Sequence, residues 1–267
     1  MNEFYKDKVV WITGASSGIG EALVKELSGT GAKIVLSARR KEELERVQLE
    51  NHLNNSNSLV LPLDLNDYKS LAQYPEKVIR KFGQIDVLIN NGGISQRSLA
   101  HETDFSTYET LMNVNFYGNI ALTLSSLPFL RDRKKGWIAS ISSVAGKLGV
   151  PYRTGYSAAK AALTGFFEAL RAENHSQGIR ITLVYPGFIQ TQISQNALKG
   201  DGQKNGAPNL HTKATIKADE CARKILNAIR DEKLEVVIAG PKEGFAIWMH
   251  KYFPSFFARI LSRIKVT

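Results

Sequence analysis

Lys8–Gly20 reads KVVWITGASSGIG. An apolar run ends at Thr13, glycines stand at 14, 18 and 20, and a helical pattern follows. Glycines lack a Cβ, so they permit a tight turn and let an anion approach the backbone. The helix behind them presents free N–H groups and the positive end of its dipole. Strand, glycine turn and helix in this order predict a cradle for a dinucleotide diphosphate, made by Gly14, Ser16, Ser17, Gly18, Ile19 and Gly20. The plainer alternative is an ordinary strand–helix turn.

Outward from this stretch, short β-branched runs alternate with longer helical patterns. Strands are predicted at Lys8–Thr13, Lys33–Ala38, Ser58–Asp64, Asp86–Asn90, Trp137–Ser142, Arg180–Tyr185 and Glu235–Ala239. Helices are predicted at Gly20–Leu27, Lys41–Leu53, Tyr68–Phe82, Phe105–Arg131, Gly155–Asn174 and Ala218–Asp231. Most strand runs are apolar throughout, as strands covered on both faces require. The pattern predicts an α/β fold: one doubly wound Rossmann-type domain, a seven-stranded parallel sheet with helices on both faces. With 267 residues there is room for one such domain, residues 1–241, followed by a basic, aromatic helical extension, 242–267.

About twenty residues beyond the glycine turn, dinucleotide folds that choose NAD place an acid at the end of the second strand. Here that strand ends Ser37–Ala38–Arg39–Arg40. A guanidinium can chelate the 2′-phosphate of NADP. NADP(H) is therefore the expected cofactor, with Arg39 placed first and Arg40 beside it; the alternative is that both arginines solvate a helix start.

Gly155–Lys160 reads GYSAAK. Tyr156 and Lys160 are four apart, on one face of a helix. A phenol with a free pKa of about 10 is a poor base, and a nearby ammonium favours its ionised form. At about 4 Å and an effective dielectric of about 20 the attraction is worth roughly 4 kcal/mol. Such a pair taken alone is more often plain helix surface. Ser142 and Ser143 close the preceding strand, where a hydroxyl could hold a substrate oxygen for Tyr156 or merely cap the turn.

These motifs, in this order, resemble the short-chain dehydrogenases/reductases of single-domain type, over residues 6–240. They are TGASSGIG at 13–20, Asp64, NNGG at 90–93, Asn115 within NVN, Ser143, Tyr156-x-x-x-Lys160 and PGFIQT at 186–191. The resemblance implies that Tyr156 is the general acid/base, that Lys160 lowers its pKa and binds the nicotinamide ribose, and that Ser143 positions the carbonyl. It implies a relay water on Asn115, and it places Asp64, Leu65 and Asn90 by the adenine and its ribose. Ile189 and Thr191 fall by the nicotinamide amide, Gly92, Pro186 and Gly187 are further cofactor-binding positions, and Arg39 matches the basic position of NADP-preferring members. Gly92 departs from the family's usual alanine. NNGGISQRS and the extended C-terminus are similar to the branch near the hydroxysteroid dehydrogenases, whose members often carry an N-terminal membrane anchor; MNEFYKDKVV is no such segment. Homodimers or homotetramers are usual in the family.

The net charge is +10, and residues 242–267 carry +4 of it (five Lys/Arg, one Glu). No basic run is long enough for a nucleic-acid stripe, so no nucleic-acid partner is expected. One cysteine, Cys221, excludes an internal disulfide and reads as a buried helix residue. The five histidines show no metal spacing, so no metal is expected. With neither a signal-length nor a membrane-length apolar run, a cytoplasmic location is expected. Residues 190–217 form a polar, glycine-rich stretch placed where a substrate lid would be. Residues 245–264 hold six aromatics interleaved with bases, split by Pro254 into two short helices. They pack on the pocket or on a partner subunit, or they lie peripherally on a membrane. The expected activity is NADP(H)-dependent interconversion of a carbonyl and an alcohol on a bulky apolar small molecule. The alternative is a catalytically silent NADPH-binding sensor or scaffold, for which no missing active-site residue speaks.

Overall fold

The computed structural model describes residues 2–206 and 216–263. Seven strands form one sheet: β1 (Val9–Thr13), β2 (Lys33–Ser37), β3 (Ser58–Val60), β4 (Val87–Asn90), β5 (Gly136–Ile141), β6 (Ile179–Pro186) and β7 (Glu235–Ile238). Their order is β3-β2-β1-β4-β5-β6-β7 and every pairing is parallel. The helices are α1 (Asn2–Tyr5), α2 (Gly18–Ser28), α3 (Lys41–Glu50), α4 (Tyr74–Phe82), α5 (Phe105–Met112), α6 (Gly118–Asp132), α7 (Thr154–Asn174), α8 (Ala218–Arg230), α9 (Pro241–Tyr252) and α10 (Pro254–Leu261).

Strand side chains alternate between faces. Val10, Ile12, Ile34 and Leu36 join α2, α3 and α8 through Leu23, Leu27, Leu44, Val47, Ile225 and Ile229. Val9, Trp11, Val35 and Leu88 join α4, α6 and α7 through Val78, Leu122, Leu130, Leu163 and Phe167. The two layers explain the unbroken apolar runs. Cys221 sits fully buried on α8, and burial pushes its thiol up to about 12.

Three predicted elements differ in detail. The third strand stops at Val60, not Asp64, because Pro62 has no N–H to give to a ladder. Leu61 and Leu63 still donate to Leu36 and Ala38 across that gap. The predicted helix 68–82 is a 3₁₀ turn, Tyr68–Gln73, followed by α4, with Pro75 in the first turn, where its missing N–H costs nothing. The predicted helix 105–131 is interrupted by a π-helical turn, Asn113–Tyr117. Side chains hold it open: Asn115 Nδ2 donates to Leu111 O (2.9 Å) and Asn119 Nδ2 to Asn115 O (3.0 Å).

The chain returns from β3 to β4, on the far side of β1, so its direction of winding reverses between β1 and β4. A crevice opens at the carboxyl ends of strands at such a point. Val10 pairs with Val87 and Ile12 with Ile89, which sets the Gly14 turn beside Asn91 and Gly92.

Candidate active site

The β1–α2 turn is built by close approach. Gly14 (φ 66°) and Gly18 (φ 59°) lie in the left-handed region. A Cβ at Gly14 would stand 2.9 Å from Gly92 Cα, and one at Gly20 2.1 Å from Gly14 O. Thr13 Oγ1 accepts the N–H groups of Asn91 (3.0 Å) and Gly92 (2.9 Å), while Asn91 Nδ2 donates to Thr13 O (3.0 Å). At Gly92 a Cβ would stand 2.5 Å from Leu65 Cδ1, the movable end of a side chain, and 3.3 Å from Thr13 Oγ1.

A cleft of about 600 Å³ opens from this turn, lined by Ser16, Ser17, Gly18 and Arg40 on one side and Gln190, Thr191 and Gln192 on the other. The open glycine turn, the start of α2 and a guanidinium make a donor set that fits a dinucleotide's phosphates. Arg40 lines the cleft, whereas Arg39, placed first from the sequence, is exposed and outside its lining. Glu21 and Glu43 also face it, but Arg46 holds both, at 3.0 and 3.1 Å, together with Glu50 at 2.6 Å.

The second half of the rim carries the candidate chemistry. Tyr156 and Lys160 lie on the first turns of α7 and are buried. The Tyr156 phenol lies beside the Ser143 hydroxyl. Ser143 Oγ accepts the Ala145 N–H (3.1 Å) and donates to Pro186 O (3.4 Å). Burial pushes the Tyr156 phenol above its ordinary range, and the neighbouring Ser143 hydroxyl and Arg153 guanidinium oppose that rise. Burial pushes the Lys160 ammonium down to about 8. Its Nζ donates to Ile141 O (2.8 Å) and stands 5.8 Å from the centre of the Tyr156 ring. The Lys160 ammonium is thus tied to the sheet beside the Tyr156 ring, and the Arg153 guanidinium also acts on the phenol.

Asn115 sits in the π turn. Its Oδ1 accepts the Ile94 N–H (3.0 Å) and its Nδ2 donates to Ile94 O (3.0 Å). A Cβ on Gly93 would meet Asn115 Oδ1 at 2.6 Å and Lys160 Nζ at 3.3 Å, so these two groups converge on one glycine. Ser142, the other serine considered, turns away and donates to Lys160 O (2.8 Å). Asn90 also points inward. Its Nδ2 donates to Thr123 Oγ1 (2.7 Å), while its buried Oδ1 has no partner among the described residues. The Asp64 carboxylate accepts the Asn66 N–H (2.9 Å), and Ile189 is buried and bridged to Ile216. Gly187 donates to Ile238 O (2.9 Å).

Two positioning residues escaped the sequence reading. Gln96 is fully buried, and its Oε1 accepts the N–H groups of Gly155 (2.8 Å) and Tyr156 (3.3 Å) at the head of α7. Asn119 holds the π turn that carries Asn115. Glutamine has no marked capping preference, and the partners are 59 residues apart, so no local signal marks the pair.

The stretch predicted as a lid is anchored in its first half. Leu198 donates to Ser95 O (2.8 Å) and Arg97 to Leu198 O (2.7 Å). Residues 207–215 of that stretch lie outside the described residues. In the tail, Phe257 packs on Val144 and Leu148, next to Ser143. Phe245, Trp248, Tyr252, Phe253 and Phe256 are exposed. Glu243 Oε1 accepts the Phe188 N–H (2.8 Å), which ties α9 to the Pro186–Thr191 turn. Among the described residues no group of three His, Cys, Asp or Glu is placed to hold a metal, and no helix is long and apolar enough to cross a membrane.

Comparison with known proteins agrees with this geometry. The family described as short chain dehydrogenase matches residues 8–202. Dehydrogenase/reductase SDR family protein 7-like of Anopheles gambiae is 42% identical over 261 residues, covering 96% of this chain and 82% of that protein. Human dehydrogenase/reductase SDR family member 7 is 41% identical over 254 residues, covering 93% of this chain and 75% of that protein. A short-chain dehydrogenase from Streptomyces avermitilis superposes with a TM-score of 0.80 at 26% identity, over 96% of both chains. A metagenomic short-chain oxidoreductase in complex with NADP superposes with a TM-score of 0.73 at 26% identity, over 88% of this chain and 98% of that one. The chain belongs to the short-chain dehydrogenase/reductase family, the nicotinamide-dependent oxidoreductases built on this fold.

Proposed function

We propose that this protein is an NADP(H)-dependent oxidoreductase that interconverts a carbonyl and an alcohol. The observation that carries the reading is the buried Tyr156 phenol beside the Ser143 hydroxyl and Lys160, on the rim that begins with the glycine cradle. Gly14, Ser16, Ser17, Gly18, Ile19 and Gly20 hold the diphosphate. Arg40, with Arg39 behind it, takes the 2′-phosphate, and no acid competes for that place because Glu21 and Glu43 are engaged by Arg46. When bound, the nicotinamide supplies or accepts the hydride. Ser143 holds the substrate oxygen, and Tyr156 gives it a proton from its phenol. Lys160, with an ammonium near neutrality, holds a ribose hydroxyl and recharges the phenol, with Asn115 as the next member of the relay.

The test is consumption of NADPH and NADH with a panel of apolar ketones and aldehydes, by wild type and Tyr156→Phe. NADPH turnover that falls at least about a thousandfold in the variant is expected, since the phenolic proton donor is removed. Equal turnover by the variant would overturn the role given to Tyr156, whereas tight NADPH binding without turnover on any carbonyl would favour the silent sensor.

A peripheral membrane contact is a second proposal, carried by the five exposed aromatics of α9 and α10 beside Lys242, Lys251, Arg259 and Arg263. Sedimentation with phosphatidylserine vesicles tests it: wild type is expected in the pellet and a Trp248→Ser/Phe256→Ser variant in the supernatant. Wild type in the supernatant removes the idea. A cytoplasmic homo-oligomer is proposed with it; exposed Phe105, Tyr117 and Leu124 support self-association, and light scattering reads the mass.

A further inference from the structure

Arg153 stands at the N-cap of α7, three residues before Tyr156, and no motif named it. Its neighbours are unusual for a half-buried guanidinium. It lies 5.9 Å from the centre of the Phe188 ring, in the Pro186–Thr191 turn whose first carbonyl Ser143 holds. The charged and ionisable groups acting on it are the Tyr156 phenol and a second cation, Arg97. Among the described residues no carboxylate pairs with it, and its side chain makes no cap bond to α7. Five arginines elsewhere, Arg46, Arg133, Arg180, Arg223 and Arg230, each sit 2.6–3.1 Å from a carboxylate.

The backbone is also committed to this placement. Tyr152 takes a left-handed φ of 63°, which costs a residue with a Cβ roughly 1–2 kcal/mol. Tyr152 O accepts the Ser98 N–H (3.1 Å) and Arg153 donates its N–H to Val150 O (3.2 Å). A strained, tied turn thus holds the Arg153 cation at the positive end of a 21-residue helix. A desolvated cation without a counter-ion is costly unless something anionic completes it. The Phe188 ring beside it offers apolar surface to the same ligand.

We propose that Arg153, with Arg97 behind it, is a specificity-determining site for an oxyanion, a carboxylate or a phosphate monoester, carried by the apolar carbonyl substrate. This deepens the proposed oxidoreductase reading and rests on it for the word substrate. Phe188 covers the apolar chain, the guanidinium pairs with the anion, and the carbonyl reaches the Ser143–Tyr156 pair. Bidentate pairing suits a guanidinium and an oxyanion better than it suits an ammonium.

Binding is read first, so that it does not depend on turnover. Nonanoate, nonyl phosphate and nonanol are titrated calorimetrically into the full chain, with saturating NADPH and without it. Wild type is expected to bind at least one anion about tenfold or more tightly than the alcohol, and the stronger of the two identifies the source. Arg153→Gln is expected to bring that ratio close to one, and Arg153→Lys to keep part of it. An anion that binds no better than the alcohol, or a preference that survives Arg153→Gln, overturns the proposal. NADPH oxidation with 4-oxononanoate and its methyl ester then separates the two readings. Anion preference without reduction of either compound leaves the site standing and removes the reductase. Reduction of both with equal kcat/KM, and no binding preference, does the reverse.

Discussion

At the β1–β2 end of the rim, Gly14, Gly18 and Gly20 are fixed by backbone passing close to backbone, with no room for a methyl group. At the β4–β6 end, Asn115, Ser143 and Lys160 are fixed by side-chain hydrogen bonds to Ile94, Leu111, Pro186 and Ile141. The same division runs through the cations. Arg46, on the nucleotide side, is neutralised by three carboxylates, whereas Arg153, on the reaction side, faces Tyr156 and Arg97. A half built from backbone is complete before any ligand arrives. A half built from buried polar side chains keeps groups, such as the phenol and the Arg153 guanidinium, whose best partners are supplied from outside.

Gly20→Ala is expected to produce the largest effect of the substitutions that probe this contrast. Its Cβ would stand 2.1 Å from Gly14 O, and backbone must move to admit it. Overpacking of this kind costs about 2 kcal/mol or more, so NADPH affinity by fluorescence titration should fall roughly thirtyfold or more. Unchanged affinity would show that the turn tolerates a side chain and that its rigidity is not what binds. Next comes Arg40→Ala, which should shift the NADPH-to-NADH affinity ratio by about tenfold, as loss of a charge-assisted contact worth about 1.5–3 kcal/mol requires. Arg39→Ala should shift it less, because Arg40 lines the cleft and Arg39 does not. The reverse ranking would restore the assignment made from sequence spacing. The smallest change is expected from Gln96→Ala, which leaves the N–H groups of Gly155 and Tyr156 without their acceptor. Loss of a helix cap costs about 1 kcal/mol, so kcat should fall roughly fivefold while NADPH affinity holds. A fall in affinity instead would mean that the two halves are coupled.

Much of the fold was legible because its signals are local. Apolar runs of strand length, the glycine turn and the helical periods gave all seven strands in a doubly wound order, with boundaries shifted by a few residues. Where a boundary moved, a residue with a specific habit was responsible: Pro62 cut β3 short and Pro75 opened α4. The π turn was not legible. It alters the helical phase by one residue over a single turn, and it is held by amides whose capacity for main-chain bonding is shared by every asparagine. The tail divided at Pro254 as its sequence predicted, yet only the structure distributed its six aromatics, burying Phe257 and leaving the other five exposed.

What the sequence determined by itself is therefore the kind of domain, the order of its elements and the identity of the residues that converge on the rim. Those follow from hydrophobic period, turn chemistry and motif spacing, which are properties of neighbouring residues. Tertiary structure alone decided where side chains point. It turned Asn90 and Ser142 inward, put Arg40 rather than Arg39 on the cleft, tied Lys160 to Ile141 and set Arg153 beside the phenol. Side-chain direction depends on packing between segments tens of residues apart, as Gln96 and Gly155 are, and no local pattern carries that information.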